Sequence, residues 1–175
     1  MQSVKVVVTG PFNAGKTTFI KSVSEITVLS TERQVSDYSS DSKGETTVAM
    51  DFGRITVSDD VVLYLFGTPG QSRFSFMWET LSEGMLGFVV LVDAGSRESV
   101  REAKEIIEFF TERSDVPFVV GANKVAEGDE GSLKALAKSL ELHPDVPMLA
   151  LDARSRDSVK SVLLGLLYAI VENME

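Results

Sequence analysis

Gly10-Pro11-Phe12-Asn13-Ala14-Gly15-Lys16-Thr17 satisfies the pattern G-x-x-x-x-G-K-[ST] at every fixed position. Residues of these types at this spacing bind phosphate. The glycines let successive backbone N–H groups close around a β-phosphate at a helix N-terminus. The lysine then reaches β- and γ-oxygens, and the hydroxyl after it can hold Mg²⁺. Average composition produces this pattern by chance in about one chain in a hundred of this size, or fewer. Context strengthens it: the β-branched run Val4–Thr9 precedes the loop, and Phe19, Ile20, Val23 and Ile26 follow at helical spacing.

Three further segments carry candidate chemistry. Leu63-Tyr64-Leu65-Phe66-Gly67-Thr68-Pro69-Gly70-Gln71 runs from a strand into a Gly/Pro-rich turn and ends on Gln71. Gly121-Ala122-Asn123-Lys124-Val125-Ala126 continues a strand, and Asp152-Ala153-Arg154 follows the run Met148–Leu151.

The elements that must position these residues can be read from periodicity. Val4–Thr9, Thr46–Thr56, Val61–Phe66, Gly87–Val92, Phe118–Ala122 and Met148–Leu151 read as six strands. A tight Ser58-Asp59-Asp60 turn makes the second and third antiparallel. Ser96 can cap a helix with a core face of Val100, Ala103, Ile106, Ile107 and Phe110. Leu133, Leu136, Ala137 and Leu140 mark a short helix, and Val159, Val162, Leu163, Leu166, Leu167, Ile170 and Val171 mark the last one as a core-facing stripe. Thr27–Glu45 is polar and without strong period, a loop whose length points to function. Strands alternating with helices predict an α/β fold in three layers. The expected sheet has six strands, mostly parallel with one reversed, and helices cover both of its faces.

Composition bounds the function. Of 175 residues, 43% are hydrophobic, enough for one domain with its own core. Seventeen Lys and Arg against 26 Asp and Glu leave a net charge of −9, which gives no general attraction for nucleic acid or anionic membrane. With no cysteine and one histidine, disulfide frameworks, Cys/His zinc sites and cysteine lipidation are excluded, and Gln2 excludes myristoylation. No apolar run approaches the ~20 residues of a membrane span. No signal peptide is visible, so the expected location is the cytoplasm with no lipid anchor.

Together the phosphate loop, the polar segment ending in Thr46-Thr47, and Gly67–Gln71 resemble the Ras-like small GTPases over essentially the whole chain. Leu65–Gln71 with Arg73, Phe74, Phe76, Met77 and Trp78 look most like a prokaryotic branch, the gliding-motility (Mgl-type) GTPases and related proteins that work with roadblock-type partners. The resemblance implies a single GTPase domain over residues 1–175 with the Ras-like P-loop NTPase fold. It implies a GDP/GTP switch with slow, Mg²⁺-dependent GTP hydrolysis. Gln71, Lys16 and Thr47 are then the catalytic group, and Thr17 and Thr47 hold Mg²⁺, with Thr46 the alternative if the register slips by one. Gly10, Asn13, Ala14, Gly15, Lys16, Thr17, Thr18, Gly70, Asn123, Lys124, Ala153 and Arg154 surround the nucleotide. Protein regulators or effectors, roadblock-type ones among them, would contact residues 27–47 and 67–81. Arg73, Phe74, Phe76, Met77 and Trp78 divide between core and partner surface.

The chain departs from the family pattern at three places. Gly67 stands where an Asp ordinarily holds Mg²⁺ through water; Mgl-type proteins lack it too, and Asp93 is either a substitute or a turn cap. Ala126 replaces the Asp that accepts two N–H bonds from guanine, with Glu127 or Asp129 as replacements. Guanine stays favoured and adenine is the alternative. No arginine is evident beside Thr47; Lys43, Arg73 and Arg54 are candidates, each also readable as a surface charge. Two other functions compete: a nucleotide-binding interaction module that no longer hydrolyses, and a small-molecule kinase, for which the chain shows no Arg-bearing lid.

Overall fold

The computed structural model describes residues 1–36, 45–69 and 76–175, with side chains for all of these except 29–36 and 45–49. The chain runs β1 (Gln2–Thr9), α1 (Lys16–Val23), β2 (Leu29–Ser36), β3 (Glu45–Ser58), β4 (Val61–Gly67), α2 (Phe76–Ser82), β5 (Gly87–Asp93), α3 (Arg97–Arg113), β6 (Phe118–Asn123), α4 (Glu130–Ser139), β7 (Met148–Leu151) and α5 (Arg156–Met174). One sheet joins all the strands in the order β2-β3-β4-β1-β5-β6-β7. β1 pairs in parallel with β4 and β5, and β5-β6 and β6-β7 are parallel as well. β3 alone runs against its neighbours β2 and β4. The six expected strands, one of them reversed, are thus present. A seventh, β2, extends the sheet from within the segment expected to be loop.

Buried strands read as continuous apolar runs because both faces of the sheet are covered. On one face, Phe19, Ile20 and Val23 of α1 pack with Val159, Val162, Leu163, Leu166 and Ile170 of α5 over Val6 and Val8. On the other, Ala103, Ile106 and Phe110 of α3, Leu136 of α4 and Trp78 of α2 cover Val7, Phe88, Val90 and Val92. Val171 departs from the expected stripe: it faces outward with Leu164 and Tyr168. Ser96, Asp129 and Ser155 each cap a helix, accepting from Ser99, Ser132 and Ser158 N–H respectively. Among the described residues no helix is long and apolar enough to cross a membrane.

Candidate functional site

Parallel strands of this order end on one edge, and ligands of such sheets gather beyond the carboxyl ends of the strands. β1 ends there in Thr9, and the phosphate loop follows. Gly10 has φ +147° and Gly15 φ +104°, and Asn13 is also left-handed at φ 63°. Gly15 is the N-cap of α1 and offers no side chain, so the first amides of the helix are open toward the loop. Lys16 folds back across this loop, its Nζ donating to the carbonyls of Gly10 and Pro11 at 2.7 Å each. The ammonium is therefore held over the loop by two carbonyls.

Burial pushes Lys16 down from 10.5 to about 8, with the carboxylates of Asp51 and Glu102 opposing the shift. The folded chain holds fewer protons than the unfolded one between those values, so its stability rises as pH climbs through that window. Phosphate binding runs the other way, because an anion favours the charged lysine. Above pH 8, nucleotide binding is expected to take up a proton, and affinity to fall by up to about tenfold per pH unit. Calorimetry near pH ~9 in buffers of different ionisation enthalpy reads that uptake; identical heats in all buffers would contradict it.

Neighbouring strands bring the other segments to the loop. Asn123, the last residue of β6, donates from Nδ2 to the Ala14 carbonyl at 3.3 Å. A Cβ at Gly15 would stand 2.9 Å from that Nδ2 and 3.4 Å from the Ala153 Cβ, so glycine is what lets the three segments meet. Ala153 also accepts from Ser22 Oγ of α1. Beyond them opens a cleft of about 1290 Å³ lined by Gly15, Thr18, Asn123, Lys124, Ala126, Glu127 and Arg154 among others. Of the expected nucleotide residues, Gly15, Thr18, Asn123, Lys124, Ala153 and Arg154 all line it.

The acids of this end are individually committed. Asp93, at the end of β5, accepts from Lys124 Nζ at 2.8 Å and from the Gly95 amide at 2.9 Å. The Lys124 bond holds its carboxyl below the usual range. Asp93 is thus a turn cap and the partner of Lys124. Asp129 caps α4 through the Ser132 amide and hydroxyl. Asp152 accepts from the Arg154 amide and Nε at 3.0 and 3.2 Å. Glu127 remains the carboxylate lining the cleft beside Ala126.

On the other flank, Thr17 Oγ1 donates to Oδ2 of Asp51, a residue of β3 that no sequence motif singles out. The adjoining turn is tied to the loop: Thr68 donates its amide to Val8 at 3.0 Å and its hydroxyl to Thr9 Oγ1 at 2.8 Å, both threonines being buried. Pro69 accepts from Trp78 Nε1 at 2.9 Å. Trp78 is core, stacked on Phe110 and edge-on to Phe109, while Phe76 is 56% exposed. Within this cluster Trp78 thus belongs to the core and Phe76 to the surface. Gly70, Gln71, Lys43, Arg73 and Phe74 lie outside the described residues. Thr47 lies in β3 opposite Gln34, and Thr46 opposite Val35, both nearer the start of the strand than Asp51. The Arg54 backbone is bonded to Ser24 and Glu25, at the end of α1 away from the loop.

Comparison with known proteins gives two kinds of match. An uncharacterized protein of Methanocaldococcus jannaschii is 37% identical over 127 residues, covering 72% of this chain and 73% of its own. ADP-ribosylation factor-like protein 8c of Arabidopsis thaliana is 27% identical over 144 residues, 81% of this chain and 71% of that protein. A family model described as "Conserved hypothetical ATP binding protein" matches residues 27–173. With that match running from beyond α1 almost to the end of α5, the chain belongs to the family of conserved hypothetical ATP binding proteins.

Proposed function

We propose that this chain is a single-domain nucleotide switch that binds GTP with Mg²⁺ and hydrolyses it slowly. One observation carries the reading: a phosphate loop with a poised lysine joined through Gly15 to Asn123 and Ala153 at the mouth of the cleft. The likeness to an ADP-ribosylation factor-like protein supports it. The donors suit magnesium, which takes hard oxygens and usually one or two carboxylates plus substrate phosphates. Thr17 and Asp51 offer a hydroxyl and a carboxylate side by side. When bound, Mg²⁺ would neutralise charge on the β- and γ-oxygens.

The chain's own groups do the rest. Loop amides and Lys16 hold the phosphates, and Gln71 orients water for in-line attack on the γ-phosphorus. Thr47 would come to Thr17 in the triphosphate state, and partners at 27–47 and 67–81 would read that rearrangement. With no arginine held at the loop among the described residues, hydrolysis is expected to be about 10³-fold or more below an activated rate. Single-turnover phosphate release tests the assignment: Gln71→Leu should slow it by at least about tenfold with nucleotide affinity kept. Unchanged turnover would remove Gln71 from the chemistry. Retained binding with no phosphate release from the unsubstituted chain would make it a binding module.

A second reading, adenine recognition, is favoured by Ala126 and by the family's description as ATP binding. Without a carboxylate at position 126 the cleft loses the acceptor that penalises adenine.

A further inference from the structure

We infer that α5 is the seam of a symmetric dimer: its outward face takes the same face of a second copy of this chain, running in the opposite direction. The inference goes beyond the nucleotide reading and does not depend on it.

α5 differs from α3, the other long helix, in what it shows to solvent. α3 exposes Arg97, Glu98, Arg101, Glu105, Glu108 and Glu112, the charged face expected of a helix with one side in the core. α5 carries no charge between Lys160 and Glu172, a stretch of about three turns. Its inner side is accounted for by Val159, Val162, Leu163, Leu166 and Ile170, all in the core. Its outer side leaves Leu164 49% exposed, Tyr168 71% and Val171 56%. These three follow one another at helical spacing and so lie side by side, with half-buried Leu167 adjoining them. A lone apolar side chain on a surface needs no explanation, but a contiguous stripe marks an interaction site.

The charges at the ends of the stripe name its occupant. Leu164, Leu167, Tyr168 and Val171 are centred between Leu167 and Tyr168, and Lys160 stands as far before that centre as Glu175 stands after it. At 3.6 residues per turn, all six fall within an arc of about 100°. Two copies meeting about a two-fold axis through this centre set Leu164 of each against Val171 of the other. Leu167 then meets Tyr168, and Lys160 meets Glu175. Parallel helices would instead set lysine beside lysine and glutamate beside glutamate. In the antiparallel arrangement Asp157 falls beyond the overlap, so no like charges are opposed along the stripe. Apolar centre, lysine and glutamate each find their counterpart in the same face, the self-complementarity that a two-fold interface requires. A single helix pair is at the low end of specific interfaces, which gives a weak dimer with a dissociation constant on the order of 10–100 µM.

Sedimentation velocity of the full chain from about 5 to 500 µM is the experiment. The mass should rise toward that of two chains across this range. Tyr168→Glu should leave the chain monomeric throughout at an unchanged melting temperature, since the ring lies mostly in solvent. Lys160→Glu should raise the dissociation constant by about tenfold, because it opposes two acids on each side of the axis. Lys160→Glu combined with Glu175→Lys should bring it back to within about threefold of the unsubstituted chain. A chain that stays monomeric at every concentration would overturn the inference and leave this face to another protein or a lipid surface. So would a dimer that survives Tyr168→Glu, which would put the contact elsewhere. A folded charge-exchanged chain that associates no more tightly than Lys160→Glu alone would overturn the antiparallel register. Nucleotide affinity bears on none of these outcomes.

Discussion

Lys16→Ala should raise the dissociation constants for GTP and GDP by about 100-fold or more, as two charge-assisted hydrogen bonds of about 1.5–3 kcal/mol each are lost. The lysine is already desolvated and held over the loop by two carbonyls, so little ordering is left for the ligand to bring about. Its bonds to Gly10 and Pro11 are exchanged for bonds to phosphate, a stronger acceptor. The fold should tolerate the loss, since burying the ammonium disfavours its charged form and alanine removes that cost. Calorimetric titration and thermal melting together check both halves. Affinity within about threefold of the unsubstituted chain would mean that the loop does not bind phosphate in the way proposed.

Gly10→Ala acts through the fold instead. At φ +147° an alanine is strained, and its Cβ would sit 2.4 Å from the Leu91 carbonyl oxygen, with the Leu91 carbonyl carbon and amide nitrogen at 3.2 and 3.3 Å. These are backbone atoms of β5, in the middle of the sheet, and cannot swing aside as a side-chain tip would. A loss of about 3 kcal/mol or more is expected, lowering the melting temperature by about 10 °C. Gly128→Ala is the control: its φ is +86°, yet nothing lies within 4 Å of the added atom. It should cost only about 1–2 kcal/mol, the left-handed strain alone. Equal melting temperatures for the two variants would contradict the close approach of β1 and β5.

What the sequence made legible was local. The phosphate loop is a run of backbone conformations specified by its own glycines, and strand and helix periods flank it within a few residues. The helix caps at Ser96 and Ser155 and the core faces of α3 and α5 follow from spacing, apart from Val171, one step past the buried stripe. β2 escaped notice because Leu-Ser-Thr-Glu-Arg-Gln-Val-Ser carries no sustained apolar alternation; an edge strand paired on one side does not need it. Asp51 escaped for a different reason. Its place depends on the β3–β4 register, and that turns on an irregularity near Thr56 that no residue pattern announces. Asp93, an acid ending a hydrophobic strand, reads from sequence as either a metal-side substitute or a turn cap, and its partner Lys124 stands just past the end of a different strand. Long-range pairings decide such questions.

The central claim, a guanine-nucleotide site, is tested most directly by calorimetric titration of the full chain with GDP, GTP, ADP and ATP in the presence of Mg²⁺. The account predicts guanine nucleotides binding at least about tenfold more tightly than their adenine counterparts, a difference of about 1.4 kcal/mol. That preference would come from contacts other than a carboxylate at position 126, with Asn123, the Ala153 amide and Glu127 as the groups at hand. Adenine nucleotides binding as tightly as guanine ones, or more tightly, would contradict it and turn the cleft into the ATP site that the family's description names.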